Sequence, residues 1–308
     1  MNKLKFVYGI VPSRRLGESL GVSPIPKKTC NYSCIYCQLG RTNKLSNKRM
    51  EFFDVSDIIA ELKIYLGNGS DFDVVTIVGE GEPTLYSKLG ELICKIKELT
   101  SKPVVVITNG ALLYDKMVQK ELSQADIILP SLDAYDEETF KRINRPHGEL
   151  NFMTCYNGLV DFSNTYKGEL WLEIMLIEGI NDDKNSLLKF KSLIEKIKYN
   201  RLYINTPVRP PAEEYVKAIN SESMNKAIEI LGGISIDNLV SVGFKSEIQD
   251  DYEAILNIIR RHPMNQFEIT SFLNSRKCID VSDVIERLNE DSNINHINYK
   301  GIFTYRLK

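Results

Sequence analysis

The sequence predicts an α/β fold, a whole or partial α/β barrel followed by a small C-terminal module. Short β-branched runs alternate with stretches of helical period, and strand, helix, strand repeats until about residue 248, beyond which the pattern changes. At least six strands on about 245 residues suit a barrel better than a sandwich. An open doubly wound sheet would use the same elements.

The strand-like runs are Ser19–Ile25, Val74–Val78, Val104–Thr108, Ile127–Leu132, Leu170–Ile177, Arg201–Thr206 and Leu239–Phe244. Between them fall helical patterns at Val55–Leu66, with Asp54 as N-cap, and at Ser87–Leu99, Leu112–Ser123, Lys184–Ile197 and Ser221–Leu231. Such an order calls for parallel strands joined by right-handed crossovers. After Gln249-Asp250-Asp251 come helical patterns at Tyr252–Arg261, Gln266–Asn274 and Val281–Asn289. Two β-like pieces follow, Ile294–Tyr299 and Ile302–Leu307, hinged at Lys300-Gly301. Three helices and a hairpin read as a winged helix, which divides the chain into 1–248 and 249–308.

Composition narrows the function. The 308 residues are 43% hydrophobic, enough for a sizeable core, and the net charge of −2 provides no global field for nucleic acid or anionic membrane. No apolar run approaches the roughly 18 residues of a membrane span, and the first residues lack a signal-peptide core, so the expected location is cytoplasmic. Six cysteines in a long cytosolic chain suggest metal or catalysis rather than disulfides.

Three of them, Cys30, Cys34 and Cys37, form a C-x3-C-x2-C cluster directly after the first strand. These positions could share one helical face as buried small residues. The flanking Pro24, Pro26, Asn31, Tyr32 and Ser33 are instead a loop composition. A zinc site would need a fourth ligand, and the three histidines, His147, His262 and His296, all lie far away in sequence. An iron–sulfur cluster normally takes four thiolates. Three would leave one iron open to the amino and carboxylate groups of S-adenosylmethionine (SAM), whose sulfonium could then accept an electron and yield a 5′-deoxyadenosyl radical.

C-x3-C-x2-C with an aromatic residue, Tyr36, before the last cysteine resembles the signature of the radical SAM superfamily. That resemblance implies a partial (β/α)6 TIM-like barrel, one [4Fe–4S] cluster on Cys30, Cys34 and Cys37, and SAM as cofactor. It also implies an external flavodoxin- or ferredoxin-like electron donor. Gly79-Glu80-Gly81-Glu82-Pro83-Thr84 resembles the family's Gly-Gly-Glu-Pro element, with Glu80 where glycine is usual. Gly81, Glu82 and Pro83 would then receive the methionyl amino group. Thr108-Asn109-Gly110 resembles the family's Thr-Asn-Gly turn. In Pro130-Ser131-Leu132-Asp133, Ser131 and Asp133 fall on one side by strand alternation, where the family has polar residues for the ribose or carboxylate. Asp133 could equally cap a helix. Glu173, among apolar neighbours, needs either ligand or an internal ion pair. Arg209, in the stiff loop Asn205–Pro211, could shape the site or pair with Glu213.

Val11–Gly17, Cys37–Thr42 and Arg209–Glu214 together resemble one radical SAM subgroup, classed beside the wyosine-forming tRNA enzymes, over roughly residues 5–245. Enzymes of the 4-demethylwyosine type carry a second cluster on cysteines upstream of the signature. No cysteine precedes Cys30, and Cys94, Cys155 and Cys278 read as packing residues. The substrate stays open among RNA, peptide or protein, and small molecule. Arg14, Arg15, Lys27, Lys28 and Arg41 around the cysteine segment would suit an anionic one. The third C-terminal helix carries Asp280, Asp283, Glu286, Glu290 and Asp291 against Arg287, which disfavours duplex DNA. Lys300, Arg306 and Lys308 on the wing could touch RNA. A redox-sensing regulator with a winged-helix effector is the non-enzymatic alternative, and it has no use for the Gly-Glu-Pro, Thr-Asn-Gly and Ser-Leu-Asp series.

Overall fold

The computed structural model describes residues 4–67, 69, 71–236, 243–299 and 301–308. The chain enters through two antiparallel strands, β1 (Val7–Ser13) and β2 (Gly17–Val22), and then the cysteine segment, pinned by the short pair β3 (Thr29–Cys30) and β4 (Lys44–Leu45). Helix α1 (Val55–Gly67) follows; its second amide, Ser56 N, donates to the Asp54 carboxylate at 2.8 Å. Strand and helix then alternate: β5 (Val74–Ile77), α2 (Leu89–Leu99), β6 (Val104–Thr108), α3 (Lys116–Leu122) and β7 (Ile127–Pro130). Two helices, α4 (Glu137–Ile143) and α5 (Phe152–Thr165), fill the next connection. After them come β8 (Glu169–Met175), α6 (Lys184–Ile194), β9 (Arg201–Asn205), α7 (Ser221–Leu231) and β10 (Ile234–Ser235).

These strands make one sheet in the order β1-β2-β5-β6-β7-β8-β9-β10, all neighbours from β2 onward being parallel. Among the described residues β1 and β10 are its edges and do not pair with each other. Both faces are covered, as a parallel sheet requires. Leu20, Val75, Ile77, Val104 and Val106 pack with the helices, while Val74, Val105, Ile127, Leu129, Trp171 and Tyr203 cluster separately.

Three features depart from the sequence reading. Strand β1 is additional; Gly9 and Pro12 interrupt its pattern, and its register shifts between Tyr8 and Ile10. Helices α4 and α5 are also additional. Helix α4 spans only about two turns and rests on an Asp136–Thr139 capping box, whereas α5 buries Phe152, Cys155, Tyr156, Leu159 and Phe162 at helical spacing. The last sheet position belongs to Ile234–Ser235; the strand expected at Leu239–Phe244 falls mostly outside the described residues.

The C-terminal part has α8 (Asp251–Ile259), β11 (Met264–Asn265), α9 (Gln266–Ser275), α10 (Val281–Glu290), β12 (Ile294–Tyr299) and β13 (Ile302–Leu307). Its three strands form an antiparallel sheet with β13 central. Its apolar residues form a cluster largely of their own, which extends onto the edge of the main sheet. Ala254, Ile255, Ile258 and Ile259 of α8 share one cluster with Tyr8 and Val11 of β1 and with Phe244. Lys300 lies outside the described residues. No helix among those described is long and apolar enough to cross a membrane.

Truncating a fully buried aliphatic side chain costs about 2–5 kcal/mol. Ile258→Ala is expected to lower the urea-unfolding free energy of the whole chain by that amount, in a single transition. A separate early transition of the C-terminal part alone would contradict the shared core.

Candidate functional site

The motif loops all leave the carboxyl ends of parallel strands, where ligands of α/β sheets are met. The cysteine segment sits over these ends through backbone bonds. Glu82 N donates to Thr29 O at 3.1 Å, Ser46 N to Cys30 O at 3.0 Å and His147 N to Asn31 O at 2.8 Å. Gly81 allows this approach, because a Cβ there would stand 1.8 Å from the Thr29 carbonyl oxygen. The segment is a loop rather than a helix, with a turn closed by Cys37 N to Cys34 O at 3.1 Å.

All three thiols are half-buried. Asn109 Nδ2 faces Cys30 Sγ at 3.6 Å, and Asn144 Nδ2 faces Cys34 Sγ at 3.5 Å. Burial pushes each thiol up from its ordinary range, most strongly at Cys30 and Cys34. Glu82 adds to the rise at Cys30 and Cys30 to that at Cys34, while backbone amides, Arg306 and Lys28 oppose it at Cys37. Soft donors that resist ionisation by themselves become thiolates when a cation binds. Among the described residues no three Cys, His, Asp or Glu groups converge as ligands of a single metal ion would. The ring of His147 lies against Glu149 at 3.7 Å.

Two buried carboxylates brace the surrounding turns. Glu82 Oε1 accepts from Thr84 N at 3.0 Å and from the hydroxyls of Thr84 and Thr108, each at 2.6 Å; Oε2 accepts from Asn109 N at 2.8 Å. Pro83 opens a short 3₁₀ turn capped by Glu82. Asp133 accepts from the Tyr36 hydroxyl, from Asn144 Nδ2 at 3.2 Å and from Met175 N at 3.0 Å. It caps no helix. Burial pushes both carboxyls up, and these donors pull them back.

Asn109, Ser131, Asp133 and Asn144 line one cavity of about 30 Å³, and Gly110 supports the turn beside it with φ +76°. Glu173 is bridged through its backbone to Ser131, its carbonyl accepting from Leu132 N at 2.9 Å, and its carboxylate forms an ion pair with Arg15. Arg209 pairs with Glu268 at 3.0 Å rather than with Glu213. Glu213 takes Arg41, through two bonds of 2.8 Å, and Arg145. The cationic rim is thus partly neutralised.

A larger cavity of about 320 Å³ runs from Gln38, next to Cys37, along the sheet to the C-terminal elements. Arg14, Arg15, Asn205, Arg209 and His262 line it. Burial holds the His262 imidazole well below its ordinary range, and its Nδ1 is buried without a protein partner. Sequence reasoning missed Asn31, Asn144, His262 and the reach of Arg306. Asn31, lying between two cysteines, carried a local signal; Asn144 and His262 carried none. Of the remaining cysteines, Cys155 is buried in α5, but Cys94 is exposed on α2 and is not a packing residue.

Residues 25–190 match the family model of the radical SAM superfamily, and the chain belongs to that superfamily. It is a radical SAM enzyme, whose cofactors are a [4Fe–4S] cluster and SAM. Within that class it groups with the UPF0026 proteins. The one from Methanocaldococcus jannaschii is 32% identical over 98% of this chain and 96% of its own length. A Brachyspira hyodysenteriae protein named GTPase Obg is 40% identical over 98% of this chain, which spans only 45% of that relative. The fold is similar to that of a radical SAM methyltransferase from Sphaerobacter thermophilus. There the TM-score is 0.54 at 15% identity, covering 72% of this chain and 68% of that one. The regulator alternative finds no support among these relatives.

Arg41, foremost, and Arg145 hold the Glu213 carboxyl down to about 2 against its burial. Its contribution to stability is therefore complete above the usual glutamate value of about 4.3 and is lost as pH falls toward 2. Glu213→Gln is expected to flatten the decline in the urea midpoint across that window. An unchanged acid limb would contradict the pairing.

Proposed function

We propose that Cys30, Cys34 and Cys37 hold the [4Fe–4S] cluster and that SAM lies between it and the strand ends. The observation that carries this is three thiols on one loop, flanked by the amide donors Asn109 and Asn144. When bound and reduced by an external flavodoxin- or ferredoxin-like donor, the cluster supplies one electron to the sulfonium, releasing methionine and a 5′-deoxyadenosyl radical. Gly81, Glu82 and Pro83 form the turn facing the methionyl amino group. Glu82 Oε2, which accepts one hydrogen bond, retains a lone pair for an ammonium donor. Ser131 and Asp133 serve the ribose or carboxylate, with Tyr36 and Asn109 fixing their surroundings.

The larger cavity is the substrate chamber in this reading. Its size admits one small molecule, or a single side chain or nucleotide of a larger one. Substrate is RNA, peptide or protein, or a small molecule, and it is modified by radical chemistry. The chain divides into a partial (β/α)6 barrel, 1–248, and a winged-helix-like unit, 249–308, that walls the chamber through His262 and Glu268. Acidic α10 speaks against duplex DNA; its Arg287 lies over the Tyr252 ring and 4.0 Å from Asp283. The site of action is the cytoplasm.

The test is anaerobic reconstitution with iron and sulfide, reduction, addition of SAM, and assay of 5′-deoxyadenosine and methionine. Alanine at any one of Cys30, Cys34 or Cys37 is expected to abolish both products while the circular dichroism spectrum stays unchanged. Full turnover by Cys30→Ala would sink the ligand assignment. Asp133→Asn is expected to raise the SAM concentration needed for half-maximal cleavage; an identical titration would remove Asp133 from the site.

A further inference from the structure

The C-terminal hairpin returns to the cysteine loop. Arg306, on the central strand β13, donates from Nη1 to the carbonyl of Gln38 at 3.0 Å, one residue beyond Cys37. Gly40, at φ +86°, brings the loop close enough that a Cβ there would sit 3.6 Å from the guanidinium carbon and 3.4 Å from Lys28 Nζ. Arg306 Nε is buried and has no hydrogen-bond partner among the protein atoms. Thr304 and Tyr305 beside it are buried, so the strand holds the charge in place.

From this geometry we infer that Arg306 is a positioning residue that sets the electron affinity of the cluster. It fixes the loop behind Cys37 and holds a permanent cation, with its buried Nε–H unpartnered, at that corner. This rests on the reading that Cys37 is a ligand. A guanidinium stays charged even when burial disfavours the charge, as it does here. A cluster gains one negative charge on reduction, so a nearby cation in a poorly screened site stabilises the reduced form and raises its potential. Net charge and hydrogen bonds to sulfur are the principal levers on such potentials. Seating of the C-terminal hairpin would in this way govern how readily the enzyme is reduced.

The experiment compares full-length wild type, Arg306→Gln, Arg306→Lys and Arg287→Gln, each reconstituted and free of SAM. Iron and sulfide are counted first, and the midpoint potential is then taken from a titration followed by electron paramagnetic resonance. Arg306→Gln is expected to assemble the cluster with a more negative midpoint. Arg306→Lys, which keeps the charge, should stay near wild type, as should Arg287→Gln, which removes a cation from α10. An Arg306→Gln midpoint equal to wild type, an Arg306→Lys midpoint as low as that of Arg306→Gln, or an equal shift in Arg287→Gln would each overturn the inference. If Arg306→Gln assembles no cluster, Arg306→Met takes its place, with the same outcomes expected and the same ones overturning the inference. Failure of the wild type to assemble a cluster on these cysteines is a different result; it overturns the ligand reading beneath.

Discussion

The rest of the site depends on one constraint, which is that a loop with almost no regular structure must hold three sulfur atoms at fixed positions. The backbone supplies most of the solution. Thr29 and Cys30 pair with Lys44 and Leu45, and the Thr29 carbonyl accepts from Glu82 N, so the loop is stitched to the turn after β5. The stitch is possible only because Gly81 has no side chain to stand in the way. On its other side the loop is held to the end of α4, where Ser33 N donates to Asn144 O at 3.0 Å and Ile35 N to Ile143 O at 2.9 Å.

Around it, polar side chains work chiefly as braces. A buried carboxylate is costly unless its lone pairs are met, and Glu82 and Asp133 meet theirs with hydroxyls and amides from neighbouring strand ends. Each carboxylate thereby ties two loops together. Glu82 joins the turn after β5 to that after β6, and Asp133 joins the cysteine loop, through Tyr36, to β8. Farther out, Glu213 closes the loop beyond β9 on Arg41 and Arg145, and its amide donates to the Ile35 carbonyl at 3.1 Å. The result is a set of turns each fixed from two sides, which suits chemistry that must keep a reactive radical from water.

The C-terminal elements belong to this arrangement physically. They share apolar core with β1, and Arg209, Tyr299 and Arg306 cross between them and the site loops. A separate appendage would meet its neighbour through a more polar surface. Here the C-terminal core takes in Tyr8, Val11 and Phe244, so the boundary with β1 is itself apolar.

Local physics made much of this legible in the chain itself. Period and turn chemistry are properties of neighbours in sequence, so β6, α7 and β13 could be read residue for residue, and the cysteine spacing, the Gly-Glu-Pro turn and the Thr-Asn-Gly turn stood out before any folding. Strand β1 escaped because Gly9 and Pro12 break its alternation, and α4 because about two turns leave little periodicity to detect. What only tertiary structure decided is which charge meets which. Arg15 with Glu173, Arg209 with Glu268 and Arg306 with Gln38 join residues that are distant in sequence, and no local rule selects a partner among many similar side chains. Those choices are made by the packing of strands and helices, which brings the groups within reach only after the apolar core has set the distances.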